Sequence, residues 1–353
     1  MTKKIFKLVS FIFYLILTTV LLLELIFWLL PTAQLFEKEH VNDDQPILKY
    51  KPDQSVTFSL GPTFYQIAKK NTNNYGFVNP EDYEKNSEPY FAVIGDSFVE
   101  AMQINFDDSI SGVLQKKTGK EVYSFAVSGT SLSQYIVYAE YAEKMFNPQR
   151  YIFVIIGNDF DQSICSVKKT LPTNYYQGQY CFDKNWKLKL NDFNGYSLIN
   201  YMARNSNFLR YVVLNLRINP RSIFSKRQDI QGTEISNTNL VSNLENSSYK
   251  VIDLFLEKIS LITNGKPVYL ILDADRNQIY NNTNNSSYFN KMRAYIKNSE
   301  SYKDFKIIDL MEPFQKNYSD TKIKPEFTTD AHWNELGHMI ASESFLEKFL
   351  EDD

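Results

Sequence analysis

The chain has 353 residues, of which 43% are hydrophobic and 22% are charged, and its formal net charge is −3. This composition is typical of a globular protein and provides no basic surface for nucleic acid, so we expect no nucleic-acid partner. The two cysteines and three histidines do not form a group with the spacing of metal ligands, and we expect no metal and no other cofactor.

The first thirty residues predict a transmembrane helix. Residues 8–30 are mostly leucine, isoleucine, valine and phenylalanine, and a helix of this length, at ~1.5 Å per residue, crosses a hydrocarbon core of about 30 Å. Glu24 opposes insertion by a few kcal/mol, against roughly 5 to 10 kcal/mol in favour from the apolar side chains. We expect its carboxyl to be tolerated near the membrane interface; the alternative is a contact with a membrane partner.

The flanks of this run predict its processing and orientation. The run is longer than the core of a cleaved signal peptide and Pro31-Thr32-Ala33 is a poor cleavage site, so we expect an uncleaved signal anchor, with a cleaved signal as the alternative. Three lysines precede the run and four acidic residues follow it, between positions 37 and 44. The positive-inside rule then makes residues 1–7 a cytoplasmic tail and places the rest outside the inner (cytoplasmic) membrane, in the periplasm or at the cell surface. Residues 31–72 are expected to be a stalk and lead-in to a main domain, residues 73–353.

Five short apolar runs after residue 88 predict β-strands. They are continuous rather than alternating, which is typical of strands covered on both faces by helices. Helix-type segments separate them, so the sequence predicts an α/β fold with a mostly parallel five-stranded sheet and right-handed crossovers. The runs are residues 90–94, 122–127, 151–156, 267–272 and 305–310.

The segments between these strands predict helices. The first is expected to be capped by Asp107 or Asp108 and to end at Lys117. The other predicted helices are residues 133–146, 251–263, 288–299 and 335–350.

Residues 160–250 interrupt the alternation and are expected to be an insertion. It contains both cysteines, Cys165 and Cys181, which fit an oxidising compartment. A bond between them closes a loop worth about 3 kcal/mol in the chain-entropy model, so we expect a disulfide, with two unpaired buried thiols as the alternative. The insertion also predicts a hairpin at 180–190, a helix at 196–216 and a polar loop at 219–248.

Glycine and polar residues gather where the predicted strands end. The four ends are Gly95-Asp96-Ser97, Ser128-Gly129-Thr130, Gly157-Asn158-Asp159 and Asp273-Ala274-Asp275. The carboxyl ends of parallel strands share one edge of a sheet, and ligands of such sheets bind beyond that edge. We therefore expect a functional site there.

Ser97 is a candidate nucleophile if a base lies near it, because a serine hydroxyl alone is a weak nucleophile. In the segment TDAHWN, the i, i+2 spacing places Asp330 and His332 on the same side of an extended chain, where the carboxylate can orient the imidazole. Taken alone, this segment also fits a solvated turn. Ser97, taken alone, fits an ordinary serine in a turn. His40 lies in the predicted stalk, and His338 lies in the last predicted helix, where we expect it to pack or cap locally.

Acyl transfer also requires hydrogen-bond donors for an oxyanion. Gly129 offers a backbone N–H that no side chain blocks, Asn158 offers its side-chain amide, and Ser97 offers its own N–H. Each of the first two also fits an ordinary turn when it is considered alone.

Together, the four motifs resemble the SGNH (GDSL-type) hydrolase superfamily. The resemblance spans about residues 73 to 352, and the motifs follow the family's order. They are GDS at 95–97, the glycine of AVSGTS at 126–131, GND at 157–159 and DAHWNELGH at 330–338. The chain departs from many members in having Asp-x-His rather than Asp-x-x-His, a form that is similar to the extracytoplasmic polysaccharide O-acetyltransferase branch, and Gly-Asn-Asp rather than Gly-x-Asn-Asp.

The resemblance implies a flavodoxin-like, three-layer α/β/α fold and a role for each matching residue. Ser97 is then the nucleophile and, with Gly129 and Asn158, an oxyanion donor. His332 is the base, and Asp330 orients it.

The resulting hypothesis is a membrane-anchored, extracytoplasmic serine esterase or O-acyltransferase. It would act through an acyl group on Ser97, taken from an ester of envelope carbohydrate, with acetyl the expected group. A transferase would require a multi-span membrane partner to deliver an acyl donor, whereas an esterase would not. The alternatives are a non-catalytic binding or assembly module of the same fold, and a lipid esterase or phospholipase.

Overall fold

The computed structural model describes residues 2–42, 45–171, 176–191, 198–218, 238–281, 287–299 and 304–352. The chain divides into two compact units. The smaller unit comprises Met1–Phe36, Ser55–Lys69 and Gly195–Gly232, and the larger unit comprises Glu37–Gln54, Lys70–Asn194 and Thr233–Asp353.

The elements of the described residues are as follows in chain order. The strands are β1 (Ser55–Leu60), β2 (Gln66–Asn71), β3 (Phe91–Gly95), β4 (Val122–Ala126), β5 (Tyr151–Ile155), β6 (Tyr180–Phe182), β7 (Leu188–Leu190), β8 (Val268–Leu272) and β9 (Lys306–Asp309). The helices are α1 (Thr2–Trp28), α2 (Ser97–Glu100), α3 (Ile110–Thr118), α4 (Leu132–Phe146), α5 (Cys165–Lys168), α6 (Leu198–Asn205), α7 (Asn207–Arg210), α8 (Thr238–Thr263), α9 (Arg276–Asn281), α10 (Tyr288–Lys297), α11 (Met311–Thr321) and α12 (Glu335–Asp352).

The larger unit is built on a five-stranded parallel sheet with the strand order β4-β3-β5-β8-β9. This is the flavodoxin-like order, in which the first strand of the sheet lies between the second and the third. The α/β prediction is therefore confirmed, and each of the five strands begins and ends within one residue of its predicted bounds. Every residue of β3, β4, β5 and β8 is buried, as the continuous apolar runs predicted.

Helices cover both faces of this sheet, because right-handed crossovers place α3 on one face and α4, α8 and α10 on the other. On the first face, the ring of Phe91 in β3 packs edge-on against Phe345 of α12, with the centroids 5.4 Å apart. On the second face, Phe153 of β5 packs edge-on against Phe255 of α8, at 5.3 Å. The sheet is thus the middle of three layers.

Two helix starts differ from the predictions. The N-cap of α3 is Ser109, whose hydroxyl accepts a hydrogen bond from the N–H of Gly112 at 3.3 Å, whereas Asp107 and Asp108 lie in the preceding 3₁₀ turn. The cap prediction was therefore wrong. Helix α8 begins at Thr238 rather than at residue 251, so the part of the predicted polar loop from 238 to 248 is helical. The rest of that loop, residues 219–237, lies outside the described residues.

The insertion contains the predicted hairpin, formed by the antiparallel pair β6 and β7. A disulfide joins Cys165 at the start of α5 to Cys181 in β6. The predicted helix at 196–216 is divided, because Ser206 has an extended backbone and caps α7 by accepting a hydrogen bond from the N–H of Leu209 at 3.1 Å. Its first two predicted residues, 196 and 197, lie outside the described part of the chain.

The segment predicted as a stalk and lead-in is folded. Strands β1 and β2 form a two-stranded sheet. Residues 37–54 belong to the larger unit, in which the side chains of Val41 and Leu48 are buried and the carbonyl of Leu48 accepts a hydrogen bond from the Tyr138 hydroxyl at 2.8 Å.

Helix α1 lies in the smaller unit and is long and apolar enough to cross a membrane, which fits either a membrane anchor or a signal sequence. Its one acidic residue, Glu24, has partners within the chain. Its carboxylate accepts hydrogen bonds from the Ser206 hydroxyl and from the backbone N–H groups of Asn207, at 2.8 Å, and Phe208, at 3.4 Å. Glu24 therefore provides acceptors for the free N–H groups at the start of α7.

Candidate active site

Ser97 is the first residue of α2, and a single residue, Asp96, separates it from the end of β3 at Gly95. The turn between them is tight: a Cβ atom added at Gly95 would lie 2.4 Å from Val99 Cγ2, so any other residue there would force Val99 to move. Asp96 caps α2, because its Oδ1 accepts a hydrogen bond from the N–H of Phe98 at 2.9 Å. This local structure holds the half-buried Ser97 side chain at the carboxyl edge of the sheet.

The structure brings Ser97, His332 and Asp330 into one hydrogen-bonded chain. Ser97 Oγ lies 2.8 Å from His332 Nε2, and His332 Nδ1 lies 2.8 Å from Asp330 Oδ1. The same Asp330 oxygen accepts the backbone N–H of His332 at 2.9 Å. These distances allow the imidazole to take the serine proton while the carboxylate orients the ring.

Asp96 is a second acceptor for the Ser97 hydroxyl. Its Oδ2 lies 3.2 Å from Ser97 Oγ, a longer contact than the one to His332. Burial raises the pKa of the Asp96 carboxyl to about 6, although the Phe98 N–H and the nearby His332 both lower it. Asp96 thus supports the turn, and the shorter contact favours donation of the serine proton to His332.

The loop that carries Asp330 and His332 is held by its neighbours. The N–H of Phe327 donates to the carbonyl of His332 at 3.1 Å, which closes the loop. Trp333 is 1% exposed, and its indole Nε1–H donates to Asp273 Oδ1 at 2.9 Å. Sequence reasoning placed Asp273 at this edge but did not pair it with Trp333. The only signal was a large aromatic residue directly after the histidine.

Gly129 and Asn158 follow the two strands that flank β3. Gly129 comes three residues after the end of β4, and Asn158 comes three residues after the end of β5. Since β4 and β5 lie on opposite sides of β3, the two residues come from both sides of the strand that precedes Ser97. The φ of Gly129 is +82°, a conformation that favours glycine.

A buried carboxyl group, that of Asp159, supports the turn at Asn158, a role that the sequence did not reveal. Asp159 is fully buried, and it accepts hydrogen bonds from the N–H of Ile156 at 2.8 Å and from the Tyr135 hydroxyl at 3.1 Å. Burial raises the pKa of Asp159 well above its usual range, and the charge of Asp96 raises it further. The GND motif was the available signal, but it did not reveal Tyr135 as the partner.

The other two histidines have different surroundings. His338 is buried on α12, and its Nδ1 accepts the N–H of Ile110 at 3.2 Å, so it caps α3 as a neutral ring. Burial lowers the pKa of His338 to about 3. His40 is exposed in the lead-in. Within the described ranges, no three His, Cys, Asp or Glu side chains are grouped so that they could hold a metal ion.

Residues 91–345 match the sequence model of the family described as GDSL-like lipase/acylhydrolase. No curated protein matches the chain. Among solved structures, the lipase Lip_vut3 from a goat rumen metagenome is 13% identical, with a TM-score of 0.40 over 73% of this chain and 96% of the other.

Two esterase structures are similar to the same degree. The acetyl xylan esterase AlAXEase is 13% identical, with a TM-score of 0.38 over 73% of this chain and 98% of its own. A carbohydrate esterase family 2 enzyme with a carbohydrate-binding domain, from Corynascus thermopiles (Myceliophthora fergusii), is 10% identical, with a TM-score of 0.36 over 83% of this chain and 74% of its own. Likenesses this distant carry no argument about substrate. The family match, in contrast, covers more than half of the chain and all four motifs, so the chain belongs to the GDSL-like lipase/acylhydrolase family.

Proposed function

We propose that this protein is a serine esterase or O-acyltransferase that works outside the cytoplasm through an acyl group on Ser97. The observation that carries the proposal is the hydrogen-bonded chain from Ser97 Oγ to His332 Nε2 and from His332 Nδ1 to Asp330, with both distances at 2.8 Å. A base within hydrogen-bond reach, itself oriented by a third group, is the arrangement that activates a serine.

In the first half of the proposed reaction, Ser97 Oγ attacks the carbonyl carbon of an ester while His332 Nε2 takes the serine proton. The carbonyl oxygen becomes an oxyanion, to which the N–H groups of Ser97 and Gly129 and the side-chain amide of Asn158 donate hydrogen bonds. Asp330 stabilises the imidazolium that forms. When the carbonyl reforms, the bond to the leaving alcohol breaks and the alcohol takes the proton from His332.

In the second half, a hydroxyl group attacks the acyl-serine and His332 again takes and returns a proton. Water as the attacking group releases a carboxylic acid, and a sugar hydroxyl forms a new ester. Both outcomes use the same residues and differ only in the acceptor. A transferase would in addition require an activated acyl donor, which we propose a multi-span membrane partner would supply.

We propose that the substrate is an ester-linked acyl group, above all acetyl, on envelope carbohydrate. The anchor that helix α1 would provide supports this, because it would hold the site beside the esters of the envelope. The location is supported by the apolar helix α1, by the lysines that precede it, and by the disulfide between Cys165 and Cys181, since disulfides persist in oxidising compartments.

The full-length protein in detergent micelles tests the proposal by its rate of hydrolysis of a short-chain aryl ester. We expect Ser97→Ala to lower kcat by at least about a thousand-fold, since loss of a triad serine removes the covalent route. Ser319→Ala is the matched control, because Ser319 is exposed on α11 and its hydroxyl donates locally, to the Lys316 carbonyl and to Asp320. Equal rates for Ser97→Ala and the wild type would refute the nucleophile assignment.

Two further measurements distinguish an enzyme from a non-catalytic module and a carbohydrate ester from a lipid ester as the substrate. A fluorophosphonate should label Ser97 in the wild type, whereas the serine of a non-catalytic module should not react. The intact mass of the protein after exposure to an envelope extract should show an adduct on Ser97 whose size identifies the acyl group. A long-chain adduct would favour a lipid ester over a carbohydrate ester as the substrate.

A further inference from the structure

Glu100, the last residue of α2, is a buried carboxylate that the reaction above does not use. It is 3% exposed and lies one helical turn after Ser97. Its Oε2 accepts a hydrogen bond from the backbone N–H of Ser128 at 3.0 Å and another from the Ser128 hydroxyl. Its Oε1 accepts a hydrogen bond from the Tyr50 hydroxyl. The helix that begins with the nucleophile is therefore tied to the residue that precedes Gly129.

The other side of Gly129 is also tied to the nucleophile's segment. The Thr130 hydroxyl has two carbonyl acceptors within reach, Val127 at 2.8 Å and Gly95, the last residue of β3, at 3.2 Å. The N–H of Thr130 donates to the carbonyl of Val127 at 3.2 Å, which closes the turn. Gly129 thus lies between two residues that are hydrogen-bonded to the chain near Ser97. Ser128 is bonded to Glu100, which follows Ser97, and Thr130 is bonded to Gly95, which precedes it.

We propose that Glu100 is a positioning residue that holds the N–H of Gly129 at a fixed place relative to Ser97 Oγ. This inference rests on the proposed function, in which that N–H is an oxyanion donor. Such donors act at about 2.7 to 3.1 Å from the oxyanion, and a misplacement of about 1 Å can lower the rate about a hundred-fold. Ser128 is exposed, so the hydrogen bonds that fix this turn lie on its buried side, at Glu100 and Thr130.

The surroundings of Glu100 show why a carboxylate suits this position. Burial raises its pKa, whereas the hydrogen bonds from Ser128 and Tyr50 and the charge of Lys38 lower it. Three donors converge on its two oxygens, so hydrogen bonds offset part of the cost of removing a carboxylate from water, although burial still raises the pKa of Glu100 overall. The buried amino group of Lys70 is a further nearby positive charge.

The test compares Glu100→Ala and Glu100→Gln in the full-length protein, with kcat expressed per active site titrated by a fluorophosphonate. Glu100→Ala leaves the Ser128 N–H without its acceptor, and we expect kcat to fall by about ten- to a hundred-fold while KM changes less than about three-fold. Glu100→Gln should recover kcat to within about three-fold of the wild type, because its carbonyl can accept from Ser128 while its amide donates to Tyr50.

Glu143→Ala is the matched control. Like Glu100, Glu143 accepts a hydrogen bond from a tyrosine, Tyr151; it also accepts one from Lys266, and it lies on α4, away from Ser97 in the chain. We expect Glu143→Ala to lower the stability of the protein and to leave kcat per titrated site unchanged. A Glu100→Ala variant with the wild-type kcat per titrated site would overturn the proposal. If this variant does not fold, Glu100→Asp, which shortens the tether by one methylene, should fold and show the same selective fall in kcat; wild-type kcat there would overturn it equally.

Hydrogen exchange of the amides of residues 127–131 gives a readout that does not depend on activity. Exchange should be faster in Glu100→Ala than in the wild type, and unchanged in Glu143→Ala. Equal exchange in all three proteins would refute the tether. A wild-type protein that neither hydrolyses the ester nor reacts with the fluorophosphonate would refute the proposed function, whereas the exchange result would still decide whether Glu100 holds the turn.

Discussion

Replacement of Asp330 by asparagine is the sharpest perturbation of the proposed reaction. In the structure, Asp330 Oδ1 accepts both the Nδ1–H and the backbone N–H of His332, at 2.8 and 2.9 Å. An asparagine has the same shape, so the loop should keep its fold. What it loses is the negative charge beside the imidazolium that forms when Ser97 gives up its proton.

The size of this loss follows from the distance and the exposure. The side chains of Asp330 and His332 are 10% and 27% exposed, so an effective dielectric constant of about 20 applies. Both charges are delocalised, and with their centres taken about 4 Å apart, beyond the N–O contact of 2.8 Å, they attract by about 4 kcal/mol. At about 1.4 kcal/mol per factor of ten, this corresponds to a fall in kcat of about a thousand-fold.

The assay is steady-state hydrolysis of an aryl ester, with the melting temperature measured alongside. Asp320→Asn is the matched control, since Asp320 is exposed on α11 and its carboxylate accepts a hydrogen bond from the neighbouring Ser319. We expect the control to retain its kcat and both variants to melt near the wild type. An Asp330→Asn protein whose kcat stays within about three-fold of the wild type would refute the role of the carboxylate.

Three further predictions concern the scaffold. Cys165→Ser should lower the free energy of unfolding by about 3 kcal/mol, as measured by urea unfolding, and a reducing agent should have the same effect on the wild type but none on the variant. The pKa of His338 is about 3 in the folded chain, below its unfolded value of about 6.5. Between these two values the unfolded state binds a proton that the folded state does not. The free energy of unfolding should therefore fall by up to about 1.4 kcal/mol per pH unit as the pH drops below 6.5. Asp96, whose folded pKa is raised to about 6, acts in the opposite direction. The contribution of His338 is therefore measured as the difference in the free energy of unfolding between the wild type and His338→Gln across pH 4 to 7. Identical pH profiles of the two proteins would contradict the prediction. Glu24→Ala removes the acceptors at the start of α7 and should increase proteolytic cleavage near residues 206–210, whereas cleavage elsewhere should not change.

The sheet could be predicted because its signal is local. A continuous apolar run such as residues 151–156 fits few structures other than a strand covered on both faces, and all five runs proved to be strands. The cap of α3 could not be assigned in the same way, because Asp107, Asp108 and Ser109 are all good N-cap residues. The choice depends on which start buries Ile110 and Leu114, and this is a property of the packed core.

The contact between Ser97 and His332 could be anticipated for a similar reason, since parallel strands bring their carboxyl ends to one edge. The contacts that support the site could not be anticipated. Trp333 with Asp273, Asp159 with Tyr135, and Glu100 with Ser128 each join residues from different elements, and no spacing along the chain marks them. The start of α8 at Thr238 was also missed, because a segment rich in asparagine and serine has a weak helix propensity of its own.

Exposure of the site bears on where the acyl group goes. The His332 side chain is 27% exposed and Ser128 is an exposed neighbour of Gly129, so water can approach an acyl group on Ser97 in this chain. An enzyme that transfers acyl groups has to keep water from its intermediate. The protein alone should therefore act mainly as a hydrolase, and transfer would require an acceptor that competes with water or a partner that covers the site. Adding a sugar acceptor during ester hydrolysis tests this: release of the alcohol at an unchanged rate with less free acid would show transfer, and free acid equal to alcohol at every sugar concentration would show that water is the acceptor.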